Sequence, residues 1–241
     1  MGYIKDLIKR EQFNPRLVGI VTNPFYFSRR ALFLAMNELG KEVSGKLLDV
    51  GCGQKPYQPY LSVEEYVGLE FDTPQSRSFS KADVFYDGGV FPFRESEFDS
   101  VLANEVFEHV FNPPEFLKEV HRVLKPDGKF LLTVPFVWDE HEQPNDFARY
   151  TSFGLKHVLE QSGFEVIHQR KTVTDIRVLF QLLNEYVYKK TYVGNTTLRQ
   201  LLNTILIGPL TILGVLLYWI FPSNEDLYLD NVVLARKVRH V

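Results

Sequence analysis

Between residues 47 and 53 the chain reads Leu47-Leu48-Asp49-Val50-Gly51-Cys52-Gly53. The apolar run predicts a buried strand, and the acid followed by two spaced glycines predicts a turn at its end. Because glycine has no side chain, the backbone amides of such a turn can approach a ligand closely, and a helix that follows would favour a carboxylate or a phosphate. The stretch therefore predicts a strand that ends in a ligand-binding turn.

Short apolar runs alternate with helical stretches from residue 46 onward. This alternation predicts a doubly wound α/β fold, with a mostly parallel sheet and helices on both faces. Strands are expected at 46–50, 66–70, 83–86, 98–103, 129–135, 164–170 and 227–236, and helices at 114–124 and 151–162.

Two Asn-Pro pairs precede the sheet, Asn14-Pro15 and Asn23-Pro24. Each places a good N-cap before a proline that suits a first helical turn, so we expect two helices, the second over residues 24–39. The chain is thus divided into an N-terminal helical cap (1–45), a central domain (46–171 with 226–241) and a helical insertion before the last strand (172–225).

The insertion contains an apolar stretch, residues 201–224, that has no charged residue and is long enough to span a bilayer. A single span would carry the last strand to the other side of the membrane, away from the sheet. Gly208-Pro209 favours instead two short helices that enter and leave on one side, a monotopic hairpin in contact through residues 200–222. The alternatives are a buried lid packed on the N-terminal helices, in a homodimer, and a transmembrane span.

Charge and composition exclude several classes of function. The net charge is −3 and no long basic run occurs, so nucleic acid is not an expected partner. Cys52 is the only cysteine and the first residues lack the apolar core of a signal peptide, which predicts a cytoplasmic protein, at the cytoplasmic face of a membrane if the insertion binds one. The six histidines are scattered along the sequence, so no metal site is expected.

Further polar residues follow the ends of later strands. Glu70 stands roughly twenty residues after the glycine turn, where a carboxylate accepts hydrogen bonds from ribose hydroxyls. Asp87, or alternatively Asp83, precedes an aromatic segment. The remaining motifs are Phe91-Pro92-Phe93, Glu97-Phe98-Asp99-Ser100-Val101, Asn104-Glu105-Val106-Phe107-Glu108-His109-Val110 and Arg122-Val123-Leu124-Lys125-Pro126-Asp127-Gly128-Lys129.

The order of these motifs resembles the class I S-adenosylmethionine (SAM)-dependent methyltransferases over about residues 46–170, in particular the methyltransferase type 11-like group. The resemblance implies a seven-stranded Rossmann-like methyltransferase fold with SAM as its cofactor. By position it places Asp49, Gly51 and Gly53 at the methionine end of SAM, Glu70 at the ribose, Asp87 at the adenine amino group and Asn104 beside the sulfonium. Cys52, Phe71, Gly88, Glu105 and His109 complete the implied cofactor site.

A second polar cluster follows the fifth strand, in the run His141-Glu142-Gln143-Pro144-Asn145-Asp146-Phe147-Ala148-Arg149-Tyr150-Thr151. It resembles a segment of bacterial methyltransferases associated with cell-surface polysaccharide or lipid-linked glycan pathways, which implies a sugar or glycolipid hydroxyl as acceptor. For in-line attack of a hydroxyl on the SAM methyl, His141 is the first candidate base and His109 the second. Asp146 and Arg149 are expected to position the substrate or, alternatively, to form an ion pair that pins the loop.

Other functions remain open from the sequence. A small aromatic or quinone-like molecule is an alternative acceptor, and a non-catalytic SAM-binding protein would retain the same acids. A nicotinamide-dependent oxidoreductase shares the strand, the glycine turn and the acid, but it usually carries a third glycine where this chain has Gln54 and Lys55.

Overall fold

The computed structural model describes residues 11–238, which fall into two compact units. The sheet unit comprises residues 35–136, 140–170 and 231–238. The helical unit comprises residues 11–34, 137–139 and 171–230. The sequence predicts the N-terminal cap and the apolar insertion as separate regions. In the structure, residues 11–34 and the insertion belong to the same unit.

Seven strands form one sheet in the order β3-β2-β1-β4-β5-β7-β6. Their bounds are Lys46–Val50 (β1), Glu65–Phe71 (β2), Val84–Tyr86 (β3), Phe98–Asn104 (β4), Leu124–Pro135 (β5), Phe164–Lys171 (β6) and Asp230–Lys237 (β7). All seven strands expected from the sequence are therefore confirmed, with β5 beginning five residues earlier than expected.

The first five strands in chain order pair in parallel, β3 with β2, β2 with β1, β1 with β4 and β4 with β5. Backbone hydrogen bonds join Val238 to Gly163 and Thr172 to Leu229 and Asp230, so β7 runs antiparallel to β6. The predicted doubly wound, mostly parallel class is confirmed. An antiparallel strand between β5 and β6 also differs from the order usual in nicotinamide-binding folds, where the sixth strand directly follows the fifth.

The helices are Tyr26–Leu39 (α1), Pro74–Phe79 (α2), Pro113–Val123 (α3), Ser152–Gln161 (α4), Arg177–Lys190 (α5), Thr196–Leu202 (α6) and Gly208–Tyr218 (α7). The expected helix after Asn14-Pro15 is wrong, since only the single turn Gly19–Thr22 follows. The backbone N–H groups of Arg16 and Gly19 donate instead to the buried Glu11 carboxylate, at 2.6 and 2.9 Å, and this holds the segment as a loop.

The core of the sheet unit is built from the inner strands and two helices. In α3, Phe116, Leu117, Val120 and Val123 are buried at helical spacing, as expected for an amphipathic helix whose apolar face meets a sheet. Strand β4 contributes Val101 and Ala103, both fully buried. This core fixes the strand ends, where the predicted site residues lie.

In the helical unit, Phe27, Val178 and Leu229 form a small core, and the Gln181 side chain bonds the backbone of Pro24 and Phe27. The predicted break at Gly208-Pro209 is wrong. A single helix runs from Thr196 to Tyr218, because a π turn at Asn203–Ile207 joins α6 to α7 and supplies the wider i→i+5 spacing just before the proline.

The glycine that introduces β1 tests the packing of the sheet unit. Gly45 has φ +65° and a Cβ there would lie 2.5 Å from the Asp99 carboxylate, which also accepts from the Lys46 backbone at 2.9 Å. We expect Gly45→Ala to lower the free energy of unfolding by about 1–3 kcal/mol through backbone strain and this contact. The control is Gly194→Ala, where a Cβ meets nothing within 4 Å. Equal unfolding curves in denaturant for the two variants would contradict the prediction.

Candidate active site

The glycine turn at the end of β1 has the geometry that its sequence predicts. Gly51 has φ +69° and Gly53 φ +47°, a region that favours glycine. A Cβ on Gly51 would lie 2.4 Å from a methyl carbon of Val106, so a larger residue does not fit there without displacement. The Gly51 N–H donates to the Leu69 carbonyl at 2.9 Å, which ties the turn to β2.

Glu70 lies beside this turn. The backbone N–H groups of Gly53 and Phe71 donate to its two carboxylate oxygens, at 2.8 and 3.2 Å. Burial raises the pKa of Glu70 above its ordinary value. A Cβ on Gly53 would meet nothing within 4 Å, so there is open space next to the turn and the carboxylate. These features fit the methionine and ribose ends of SAM.

Asp49 and Cys52 form the buried side of the turn. The Tyr66 hydroxyl donates to the Asp49 carboxylate, yet burial outweighs this bond and raises the pKa of Asp49 to about 7. Burial also raises the pKa of the Cys52 thiol to about 12, which makes a reactive thiolate unfavourable at neutral pH. Cys52 therefore acts as a small buried residue of the turn.

Asp83 and Asp87 have different surroundings. The Asp83 carboxylate pairs with the Lys55 ammonium at 2.5 Å and accepts from the Gly68 backbone at 2.6 Å. Asp87 is exposed and accepts from the backbone N–H of Gly89 at 3.0 Å. The geometry thus favours Asp87 over Asp83 as the acid that faces a ligand.

Phe71 and Gly88 accompany Asp87 at the ends of β2 and β3. The Phe71 ring is 47% exposed and lies edge-on to Tyr86, with ring centroids 6.3 Å apart. Gly88 has φ +90° and approaches this ring so closely that a Cβ there would lie 2.9 Å from it. The structure therefore brings Phe71, Asp87 and Gly88 together, as the adenine end of a SAM site would require.

Asn104 and Glu105 stand at the end of β4. The Thr133 hydroxyl lies 3.1 Å from the Asn104 side-chain oxygen and 2.8 Å from a Glu105 carboxylate oxygen. Glu105 has φ +52°, and its backbone N–H donates to the Thr133 hydroxyl at 3.0 Å. Thr133 on β5, which the sequence did not single out, thus fixes both predicted residues.

His109 and His141 lie side by side. Their ring centroids are 4.8 Å apart and their rings meet edge to face. These two histidines are far apart in the sequence, and the fold brings them together because the loop after β5 returns to the 3₁₀ turn Phe107–His109 that follows β4. Backbone N–H groups of Phe147 and Ala148 donate to the Glu108 carbonyl and hold the loop there.

Asp146 and Arg149 form the ion pair that the sequence offered as an alternative to substrate binding. Both guanidinium bonds measure 2.6 Å, and the His141 backbone N–H donates to Asp146 at 3.0 Å. Burial acts to raise the pKa of Asp146, but these hydrogen bonds and the Arg149 charge outweigh it and lower the pKa to about 2. The pair pins the loop that carries His141.

Glu108 belongs to the motif that follows β4, and the sequence assigns it no role. Its side chain is fully buried, and neither carboxylate oxygen has a hydrogen-bond partner among the described residues. Burial, followed by the nearby Glu105 charge, raises the pKa of Glu108 well above its ordinary value. Its position one residue before His109, in the short segment that follows β4, is the signal that could have identified it.

The matches to known proteins include the segment that contains the glycine turn and the motifs after it. Residues 48–132 match the family described as "Methyltransferase domain". The chain is 34% identical over 144 residues to a mitochondrial protein of Danio rerio named arginine-hydroxylase NDUFAF5, covering 50% of this chain and 45% of that one. It is 24% identical over 162 residues to a probable SAM-dependent methyltransferase of Mycolicibacterium smegmatis, covering 61% and 62%.

A solved structure of Haemonchus contortus phosphoethanolamine N-methyltransferase 2, in complex with SAM, superposes with a TM-score of 0.55 at 14% identity. The match covers 95% of this chain and 59% of that chain, and at this identity it shows the shared fold alone. The chain spans about half the length of the first curated relative that it matches.

The raised pKa of Asp49 predicts a pH-dependent stability. The folded protein retains this proton up to about pH 7, whereas the unfolded chain releases it at about 3.8. The unfolded state thus binds fewer protons between pH 5 and 7, so the free energy of unfolding falls as the pH rises. Asp49→Asn removes the carboxyl group that binds this proton. We expect its stability relative to wild type to increase by about 2 kcal/mol from pH 5 to 7 in urea unfolding.

The control is Asp72→Asn. The Arg77 guanidinium lowers the pKa of this exposed carboxyl, so it stays ionised over the whole range. Its stability relative to wild type should be constant between pH 5 and 7. A flat difference for Asp49→Asn as well would mean that Asp49 is ionised in the folded protein.

Proposed function

The chain carries a class I SAM-dependent methyltransferase domain, and we propose that it transfers the SAM methyl group to a hydroxyl of a small or lipid-linked sugar at a membrane surface. The observation that carries the methyl transfer is the open glycine turn with Glu70 beside it, on the same sheet edge as the end of β4. The histidine pair supports the acceptor, and the apolar helix Thr196–Tyr218 supports the membrane contact.

The cofactor supplies an electrophilic methyl group on a sulfonium. In the proposed complex, Glu70 accepts hydrogen bonds from the ribose hydroxyls, since its carboxylate already lies at the end of β2 with two backbone donors fixing it. Asp87 accepts from the adenine amino group beside the Phe71 ring. Asp49 lies behind the turn, and Gly51 and Gly53 keep the backbone open to the methionine moiety.

Acceptor chemistry is suggested by the histidine pair. A hydroxyl that attacks the methyl carbon forms an O–C bond while the C–S bond breaks. The electron pair of the C–S bond passes to sulfur, and the proton of the hydroxyl must leave. His109 and His141 follow β4 and β5, whose carboxyl ends share the edge that carries the glycine turn. We therefore propose that the acceptor hydroxyl binds beside His109 and His141, and that Asn104 lies between these histidines and the cofactor.

A sugar is the favoured carrier of that hydroxyl. The loop of residues 141–151 is the segment that resembles methyltransferases of polysaccharide and lipid-linked glycan pathways. It places the Asp146–Arg149 ion pair beside His141, and charged groups of this kind suit a polyhydroxylated ligand better than an aromatic ring. The apolar insertion supports a lipid-linked rather than a free sugar.

The first test is cofactor binding by calorimetric titration with S-adenosylhomocysteine, with NAD as a second ligand. We expect binding of S-adenosylhomocysteine alone, and a loss of about 10–100-fold in affinity for Glu70→Gln, because the charged acceptor for the ribose hydroxyls is removed. Glu64→Gln is the matched control, since this exposed acid lies just before β2 and outside the site. Equal affinities of both variants, or a preference for NAD, would reject the assignment.

The apolar helix Thr196–Tyr218 supports the membrane contact. Among the described residues it is the one helix long and apolar enough to cross a membrane. Its buried face carries Asn203, Ile207, Gly208, Thr211 and Gly214, whereas Leu201, Ile205, Ile212, Leu213 and Leu216 are each at least 42% exposed. An aliphatic face of this size, followed by exposed Trp219 and Ile220, is typical of membrane-binding surfaces.

A span across the bilayer is disfavoured by what this helix packs on. Thr211 accepts a hydrogen bond from Asn184 at 2.9 Å, and a Cβ on Gly214 would lie 2.9 Å from Phe180, so the helix lies along α5. Helix α5 carries Lys189, whose ammonium pairs with Asp139 at 2.5 Å and with Glu185 of the same helix at 4.0 Å. A spanning helix would carry these charges toward the hydrocarbon, so we propose that only its exposed face enters the interface.

Vesicle flotation tests this contact. We expect the full chain to float with vesicles that contain an anionic phospholipid, and the triple variant Ile205→Glu, Ile212→Glu, Leu216→Glu to remain with the soluble fraction, because three charges would enter the apolar layer. The control is Phe79→Glu, Val90→Glu, Phe153→Glu, which changes exposed apolar residues outside this helix. Flotation of the helix variant, or no flotation of wild type, would contradict the proposal.

A second candidate function comes from the relatives named arginine-hydroxylase. If this chain had the activity in that name, its product would be a hydroxylated arginine in a protein or peptide and not a methylated hydroxyl group. Mass spectrometry of the modified acceptor separates the two, since methylation adds one CH₂ and hydroxylation adds one oxygen atom.

A further inference from the structure

Three side chains meet at the carboxyl ends of β4 and β5: Glu108, His109 and His141. The Nε2 atoms of His109 and His141 lie 3.7 and 3.9 Å from the same Glu108 oxygen, Oε1. One ligand atom from each of the three residues can be chosen so that all lie within 4.8 Å of one another. Two imidazoles and a carboxylate are a usual ligand set for divalent transition metals.

The other ring nitrogen of each histidine is already engaged. His109 Nδ1 lies 2.7 Å from the Asn145 carbonyl oxygen, which fixes it as the N–H donor and leaves a lone pair on Nε2. His141 Nδ1 lies 3.4 Å from Asp146, whose carboxylate Arg149 holds in place. Metal-binding histidines in proteins commonly have this second partner, a backbone carbonyl or a carboxylate. Both Nε2 atoms thus lie on the side of the rings that faces Glu108, at 3.7 and 3.9 Å from its Oε1 atom.

Glu108 gives an independent indication of a ligand. Its side chain is 0% exposed, and its two carboxylate oxygens have no hydrogen-bond partner among the described residues. Glu105 and Asp146 add negative charge nearby, and Arg149 adds positive charge. A buried carboxylate without a donor is costly unless it is protonated or a cation lies beside it.

We propose that Glu108, His109 and His141 bind one divalent transition-metal cation through Oε1 and the two Nε2 atoms. Bonds of about 2.1 Å place neighbouring ligand atoms about 3 Å apart, so side-chain rotations of about 1 Å close the site around the ion. The imidazole ligands favour Mn²⁺, Fe²⁺, Co²⁺ or Zn²⁺ over Mg²⁺ and Ca²⁺.

The cation also defines the acceptor, a conclusion that rests on the proposed methyl transfer. Three protein ligands would leave positions that two neighbouring substrate oxygens can fill, and this arrangement suits a vicinal diol such as sugars provide. Coordination would lower the pKa of one hydroxyl, and the proton of this hydroxyl would pass to water. The hydroxyl oxygen would then form the O–C bond as the C–S bond of SAM breaks and the electron pair of the C–S bond goes to sulfur. With the cation bound, the two histidines would act as ligands, and water would replace them as the base.

Direct metal binding is the test, on the full chain without a histidine tag and after treatment with a chelator. We expect one Co²⁺ per chain with visible d–d absorption, and one Mn²⁺ by calorimetry. His141→Gln and Glu108→Gln should each weaken binding at least tenfold. His157→Gln, an exposed histidine of α4, should bind as wild type does.

Titration with S-adenosylhomocysteine is done on the same samples. Binding of this ligand with no stoichiometric Co²⁺ or Mn²⁺ would overturn the cation site and leave the methyltransferase proposal intact. Cation binding without S-adenosylhomocysteine binding would overturn the methyltransferase proposal alone. Unchanged metal affinity in Glu108→Gln, together with a more stable fold, would show that Glu108 is simply a protonated buried acid and would reject the site.

Discussion

The close approach of the glycine turn to its neighbours holds the candidate active site together. Gly51 bonds β2 through Leu69 and leaves room for Val106, which follows β4, while Gly53 donates to Glu70 at the end of β2. The carboxyl ends of parallel strands share one edge of a sheet, so the residues that follow them are brought together although they are distant in sequence. Without side chains at 51 and 53, three strand ends meet around a space that a ligand can enter.

The features of the fold and the site that the sequence predicts are those that depend on residues close together in the chain. The strands and α1, α3 and α4 follow from apolar periodicity and caps, such as Thr151, which accepts from the Gly154 backbone. The antiparallel placement of β7 between β5 and β6 is a property of the whole sheet, and no residue in 230–237 encodes it. The proximity of His109 to His141 likewise depends on backbone bonds from the loop to the Glu108 carbonyl, which no pattern in the sequence displays.

Asp49 and Glu108 show two ways of burying a carboxyl at this edge. Asp49 receives the Tyr66 hydroxyl, which partly offsets the loss of solvation, and its pKa is raised to about 7. Glu108 lacks such a donor among the described residues and faces two imidazoles instead. Local rules of packing are broken most often where function requires it. The contrast between the two acids therefore directs attention to Glu108, whose surroundings have no evident structural purpose.

The apolar helix Thr196–Tyr218 has an unusual distribution of buried and exposed residues. A helix of a water-soluble protein buries its apolar face and exposes its polar one. In Thr196–Tyr218 the buried face includes Asn203, Thr211 and two glycines, whereas the exposed face is aliphatic. Small and hydroxyl residues at the packed face are typical of helices surrounded by lipid, because close backbone approach and hydrogen bonds replace the hydrophobic effect there. The length of the apolar stretch alone allowed a span, a hairpin or a lid. The distribution of residues around the continuous helix, together with the charged groups on α5, favours a helix that lies in the interface, and such a position suits an acceptor presented on a lipid.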